Sequence, residues 1–359
     1  MHDVGGEVVK QFITLDGFSI FFLLFLGFLG GLISGFIGSG GAFVLTPGMM
    51  SLGVPAAVAV ATNMCHKFPK AMIGAYKRYK YGQVDLKLGI ILALSAVAGV
   101  QVGIQIQKWI LNSWGEAGSD LYVSAVFVAI LIILGIYMFG DARRAMKSKA
   151  VEAPGNLARA IQKINIPPMI KFPVAHTRVS LWITIPIGFA TGMLAATIAV
   201  GGFVGVPGMI YLLGTTSLVA SATEMIIAFV MGLSGTINWA LGGFVDIRLV
   251  VLIMAGSLLG VQLGAVGTTY VKDYMIKYVM SSIMIIVAIS RAIAIPNYLN
   301  KLGIIALTKE ATVLLSNTSF IIMCLALITG GVIILGSMWK RKREIAAHQA
   351  KMGTMAVTR

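Results

Sequence analysis

The chain has 359 residues, 58% of them hydrophobic and only 11% charged, with a mean hydropathy of +0.91. Soluble domains carry about a quarter charged residues, so this composition excludes a soluble enzyme, a disordered chain and a disulfide scaffold. Lys and Arg number 28 against 13 Asp and Glu, a net charge of +15. The basic residues cluster between apolar runs, which suits the inner membrane face rather than nucleic acid, since no motif interleaves them with aromatics.

The N-terminal MHDVGGEVVKQFITLDG is acidic and lacks the basic start of a signal peptide, so the run from Phe18 to Ile37 is expected as a retained first helix. Further apolar segments predict helices at 54–80, 87–110, 120–140, 179–200, 215–241, 247–271, 274–295 and 317–338. About 20 apolar residues cross a bilayer core of ~30 Å as a helix. Two shorter runs, 42–52 and 203–213, each follow a Gly-Gly pair and are too short to cross alone. Cys65 and Cys324 lie in apolar runs with no CxxC spacing and no disulfide framework.

The chain repeats itself. Gly27 matches Gly188, an offset of 161, and the same offset pairs Gly31 with Gly192 and Gly40-Gly41 with Gly201-Gly202. It continues through Gly53/Gly214, Ala61-Thr62/Ala222-Thr223, Gly82/Gly243, Val84-Asp85/Val245-Asp246 and Gly99-Val100-Gln101/Gly260-Val261-Gln262; only Pro47/Pro207 slips, by one residue. Apolar bias yields chance Leu and Val matches, not Gly, Thr, Asp and Gln at one offset, so the chain is a duplication.

The expected fold is therefore an all-α polytopic membrane protein. It has two homologous halves, inverted repeats of five segments each with helices broken at the Gly-Gly motifs, plus one extra C-terminal helix. The boundaries are 17–140 and 179–295 for the two transmembrane repeats, 141–178 for a basic cytoplasmic linker, 296–338 for an extra loop and helix, and 339–359 for a basic cytoplasmic tail. The linker holds Arg143, Arg144, Lys147 and Lys149, with Pro154, Pro167, Pro168 and Pro173 breaking it, and a surface helix near 156–164. If each short segment crosses the membrane, five crossings per half invert the second half and leave the Lys340-Arg341-Lys342-Arg343 tail inside. If the short segments re-enter, the halves are parallel and the tail lies outside. The positive-inside rule favours the first arrangement.

Gly27, Gly31 and Gly35, spaced by four, read as helix–helix contacts. The Gly38-Ser39-Gly40-Gly41 cluster is dense enough to unwind a helix, since each interior Gly costs about 1 kcal/mol. Irregular backbone at membrane depth must be buried in protein or line a wet cavity. A short helix beginning there presents free N–H groups and a positive dipole end, which suits an anion. Ser39, Gly40, Gly41, Gly201 and Gly202 are accordingly candidate substrate contacts, with Pro47 and Pro207 as supporting residues. Within 54–80, Asn63, His66, Lys67 and Lys70 share one helical face. Lys67 can neutralise an anion, and His66 can donate to it. Lys70, closer to Lys77 and Arg78, is expected to snorkel to the interface. Glu224, the carboxylate deep in an apolar span, can carry a proton or pair with Lys67 across the halves. Thr62 and Thr223 offer hydroxyls beside it. Gln101 and Gln262 are expected to satisfy the unwound backbone, with Asn238 in a similar role, and Asp85 and Asp246 read as helix N-caps.

Two Gly-rich helices ending in Gly-Gly, each with a following Pro, a Gly, an Ala-Thr-polar segment and a Val-Asp loop, resemble the TauE/SafE-type sulfite exporter family of membrane permeases. The resemblance covers about residues 20–290. It implies transport of sulfite, a sulfonate or a related organosulfur anion across the bacterial cytoplasmic membrane. The family pattern continues Ala-Thr with Ser, where this chain has Asn63 and Glu224, a departure that bears on the substrate.

The function expected is a secondary transporter of a small anion working by alternating access, with an anion channel or a metal-cation permease as alternatives. No Walker A, HExxH or GxSxG sequence is present, so no enzyme, cofactor or metal site is expected. The expected partners are a small anionic solute and the lipid bilayer, with protons or another coupling ion and a homo-oligomer as further candidates and no nucleic acid.

Overall fold

A computed structural model describes residues 12–38, 42–148 and 155–357. Helix α1 (Gly17–Ile37) starts at Asp16, whose carboxylate accepts from the Ser19 N–H at 2.8 Å. Hydrogen bonds from Ser19 hold that carboxyl below its usual range. The helix ends at Gly38, where φ is 98°. Then come the short α2 (Ala42–Ser51) and α3 (Ala56–Lys80). Helix α4 (Leu86–Ser148) is broken at Gly115, with φ 67° and ψ −171°. A straight helix of this length would run about 95 Å, three times a membrane core. Instead Gln107 Nε2 donates to Ser119 Oγ at 2.8 Å, so the chain folds back on itself within twelve residues. Its arms, 86–114 and 116–148, are called α4a and α4b. The turn between the two expected helices is thus one left-handed glycine, not the longer loop the sequence suggests.

The linker holds α5 (Asn156–Gln162) and an antiparallel hairpin, β1 (Met169–Phe172) with β2 (Thr177–Ser180). That hairpin adds a little β-structure to an otherwise helical chain. Asp85 Oδ2 accepts from the Val174 and Ala175 N–H groups at 3.0 Å each, tying the hairpin to the start of α4.

The second half repeats the pattern. Helix α6 (Leu181–Ile198) ends at Ala199 in the left-handed region; α7 (Gly201–Gly208) continues as a π-helical turn to Leu213. Then follow α8 (Ser217–Leu241), α9 (Ile247–Gly267), α10 (Asp273–Lys301) and α11 (Lys309–Val357). Among the described residues, seven helices are long and apolar enough to cross a membrane: α1, α4, α6, α8, α9, α10 and α11. Ile133, Ile136, Leu241, Val251 and Leu259 stand exposed on outer faces, as lipid contact requires. Helix α3 falls outside that set because Asn63, His66, Lys67 and Lys70 interrupt its apolar run.

The halves are interlocked. Helix α1 packs on α9 of the other half, in parallel: a side chain at Gly27, Gly31 or Gly35 would strike the backbone of Ile253, Ser257 or Val261. Helix α6 packs on α4a in the same way, with Gly188 and Gly192 against Leu92 and Ala96. These contacts are the same ones moved along by the repeat. Small residues let such helices approach closely where no hydrophobic effect drives them together. Equivalent helices meet head to tail instead. In α3 and α8, Met64 O accepts from Thr236 Oγ1 at 3.3 Å, Gly232 faces Phe68, and Gly74 faces Met225. In α4b and α10, Lys277 Nζ bonds Asp141 Oδ2 at 2.7 Å while Phe139 stacks on Tyr278. Helix α11 covers α1 and α10, with Phe320 against Phe22 and Gly330 between Ile33 and Ile283.

Candidate functional site

The antiparallel crossing of α3 and α8 has its centre midway between the Met64–Thr236 and Gly74–Met225 contacts. That point falls beside Pro69 and Lys70 on α3 and beside Val230 and Met231 on α8. The polar residues predicted from the sequence gather around it.

The two short helices arrive from either half. Ala199 and Val200 break the second Gly-Gly helix, and Gly201 and Gly202 form the buried first turn of α7. Ser39, Gly40 and Gly41 lie outside the described residues; α1 ends before them and α2 begins after them. Phe43 and Phe203 meet edge to face, ring centroids 4.2 Å apart, so the first turns of α2 and α7 lie together. Pro47 and Pro207 sit inside these helices. Having no N–H, they cannot bond the carbonyls of Phe43 and Phe203 one turn back.

Thr62 and Thr223 are fully buried and make matching cross-half bonds. Thr62 Oγ1 accepts from the Asp246 N–H at 3.1 Å, and Thr223 Oγ1 from the Asp85 N–H at 3.0 Å. Each hydroxyl thus holds the start of the other half's α9 or α4. The two aspartates cap those helices, Asp85 Oδ1 accepting from Leu88 N and Asp246 Oδ1 from Arg248 N, both at 3.0 Å.

The next residue reaches back to its own half's short helix. Asn63 Nδ2 donates to Thr46 Oγ1 of α2 at 2.8 Å. Glu224 Oε2 lies against Gly205 of α7, where any side chain would collide with it. His66 Nε2 is 2.6 Å from Ser257 Oγ of α9, beside Gly31. Lys67 Nζ is 3.7 Å from Met64 Sδ and within electrostatic reach of Glu224. Lys70 does not snorkel: its side chain is fully buried, and its Nζ has no hydrogen-bond partner among the described residues. Two ammonium groups and an imidazole of α3 and a carboxylate of α8 therefore stand buried inside the protein. Charges that deep face a cavity, a pathway or one another.

The supporting residues lie elsewhere. Gln101 Nε2 donates to Ser234 Oγ at 3.0 Å, Asn238 Nδ2 to Ser234 O at 2.9 Å, and the exposed Gln262 to Leu258 O of its own helix at 3.1 Å. The two glutamines therefore bond α8 and α9 rather than the backbone at the Gly-Gly breaks.

The sequence reading missed Arg78, which it assigned to topology. The guanidinium is buried and donates to Gln83 Oε1 at 2.7 Å, Leu218 O at 2.9 Å and Phe36 O at 3.2 Å. It joins the end of α1, the end of α3 and the start of α8. The signal was available: His66, Lys70, Gly74 and Arg78 recur every fourth residue, along one face. A second missed cluster lies where Arg291 Nη2 of α10 donates to Ser51 Oγ at 2.8 Å and Ser319 Oγ at 2.9 Å. Nearby, Asp120 Oδ1 accepts from Ala56 N at 2.8 Å. These groups fasten the loop between α2 and α3.

Residues 23–291 match the family described as Sulfite exporter TauE/SafE. The chain is 26% identical over 261 residues to "Probable membrane transporter protein YdhB" of Bacillus subtilis (strain 168), covering 71% of this chain and 93% of that protein. It is 26% identical over 278 residues to "Probable membrane transporter protein YunE" of the same organism, covering 75% and 96%. With "Probable membrane transporter protein YjnA", again from that strain, identity is 22% over 270 residues, covering 74% and 96%. No solved structure matches.

Proposed function

The chain belongs to the sulfite exporter TauE/SafE family, and from that premise we propose that this multi-pass membrane transporter is a secondary carrier of a small sulfur oxyanion or sulfonate. The observation that carries the substrate reading is the pair of buried ammonium groups, Lys67 and Lys70, at the crossing of α3 and α8. A dehydrated cation pair attracts an anion and repels a metal cation. The first turns of α2 and α7, brought together at Phe43 and Phe203, direct positive dipole ends toward the same region. His66 and Asn63 supply further donors, and Gly201 and Gly202 in the first turn of α7 complete the cradle, with Ser39, Gly40 and Gly41 assigned the same role from the sequence repeat alone. Thr62 and Thr223 position it, since their hydroxyls already serve Asp246 and Asp85.

The two halves form an inverted repeat in this reading, with the C-terminal tail in the cytoplasm and the protein in the bacterial inner membrane. The head-to-tail packing of α3 on α8 and α4b on α10 supports it, because equivalent helices run in opposite directions. Rocking of one half against the other would carry the site from one face to the other.

The test is flux in proteoliposomes. Labelled sulfite and small sulfonates are expected to enter with saturable kinetics and to show counterflow. Movement of metal cations with no anion movement overturns the substrate reading. Flux that rises without saturation and without counterflow points to an anion channel instead.

A further inference from the structure

Lys67 and Lys70 lie one turn apart on α3, but their surroundings differ. Lys67 has Met64 Sδ beside its ammonium and Glu224 within electrostatic reach. Lys70 is equally buried, and its ammonium has no hydrogen-bond partner among the described residues. It stands at the centre of the α3–α8 crossing, where the repeat places Met231 in the other half. A side chain of this kind, carried into the interior with three unused donors, is destabilising unless something acidic meets it. The long aliphatic stem cannot deliver the charge to solvent, because the helix is covered on that face by α8 and α9: Gly74, one turn on, meets Met225 and Val261, and His66, one turn back, meets Ser257.

We propose that Lys70 is the residue that grips the transported anion, that Lys67 and Glu224 form a standing counter-charge pair beside it, and that the site therefore selects singly charged anions. This inference rests on the anion-carrier reading above and deepens it. Two ammonium groups and one carboxylate leave one positive charge when the His66 imidazole, bonded to Ser257 Oγ, is in its neutral form. A monoanion such as an alkylsulfonate or hydrogen sulfite brings the interior to electrical balance. A dianion such as sulfate leaves it with an uncompensated negative charge in a dry environment, where each such charge is expensive. The carboxylate of Glu224 thus acts as a filter as well as a partner: it cancels the second lysine that a dianion would need.

The experiment uses the full-length protein. Methanesulfonate and sulfate are compared as ligands by thermal stabilisation of the purified protein and as competitors of labelled methanesulfonate flux in proteoliposomes. The wild type is expected to bind methanesulfonate and to ignore sulfate at equal concentration. Lys70→Met is expected to weaken methanesulfonate binding about 100-fold, the effect of removing one buried charge partner, whereas Lys70→Arg retains the charge and binds. Glu224→Gln adds one net positive charge and is expected to admit sulfate as a competitor. Combining Glu224→Gln with Lys67→Met restores the net charge and moves the preference back toward methanesulfonate, a readout that a merely structural role would not produce. Unaltered methanesulfonate binding in a folded Lys70→Met protein overturns the assignment of Lys70. Equal competition by sulfate in the wild type, or no change in preference in Glu224→Gln, overturns the charge filter. Either result leaves the anion-carrier reading standing if labelled anions still move, and that reading falls separately if none does.

Discussion

Helices α3 and α8 are one stretch of sequence used twice, and the comparison separates what builds the fold from what builds the site. They start at Ala56 and Ser217, an offset of 161, and both run 25 residues. Both carry Ala-Thr at the same place, and both threonines accept a backbone N–H from the opposite half. Beyond that point they diverge: Asn63, His66, Lys67 and Lys70 in α3 stand where α8 has Glu224, Ile227, Ala228 and Met231. The shared positions contact backbone, which every copy of the fold needs. The divergent positions reach side chains or surfaces of neighbouring helices instead, Asn63 to Thr46 of α2, His66 to Ser257 of α9 and Glu224 to Gly205 of α7. A duplicated fold can thus hold an asymmetric site, cations from one half and the carboxylate from the other, without disturbing its scaffold.

The comparison breaks most severely if its shared part is attacked. Gly31→Leu and Gly192→Leu place a side chain into the backbone of Ser257 and Ala96. Each is expected to cost at least about 3 kcal/mol and to leave little monodisperse protein on size-exclusion chromatography, with similar loss from either half. Met231→Lys tests the divergent part by giving α8 the residue of α3. A second unmatched ammonium beside Lys70 is expected to cost upwards of about 2.5 kcal/mol, read as a lower thermal midpoint that an added anion partly restores.

Smaller effects sharpen the same contrast. Thr62→Val and Thr223→Val each leave one buried N–H, of Asp246 or Asp85, without its acceptor. Each is expected to cost about 2 kcal/mol, nearly equally, because the two bonds are repeats of one another. Asp246→Ala removes a helix cap worth about 1 kcal/mol. Asp85→Ala is expected to cost more, because Asp85 also holds Val174 and Ala175 of the linker hairpin. Thermal unfolding of the four variants side by side measures both comparisons.

Much of the fold was legible because its determinants are local or periodic. Apolar run lengths place the long helices, Gly-Gly pairs mark the breaks at Gly38 and Ala199, and one offset exposes the duplication. The spacing of Gly27, Gly31 and Gly35 announced a helix contact, though not that the partner would be α9 of the other half. Partner choice depends on how distant segments assemble, which no local pattern records. The same limit hid Arg78: its charge near the end of α3 reads as topology until Phe36, Gln83 and Leu218 close around it. Lys70 was misread in the same way, since a lysine seven residues from the basic Lys77 and Arg78 snorkels unless other helices cover it. Gln101 and Gln262 occupy matching sequence contexts yet find different partners, Ser234 and Leu258, because their neighbours on α8 and α9 differ.

The most direct test of the account is equilibrium binding of a labelled small sulfonate to the purified protein, compared with a variant carrying Lys67→Met and Lys70→Met together. The account predicts one saturable site per chain in the parent protein and none in the folded double variant. Unchanged binding in that variant would contradict it, because the anion would then be held somewhere other than the buried cation face of α3.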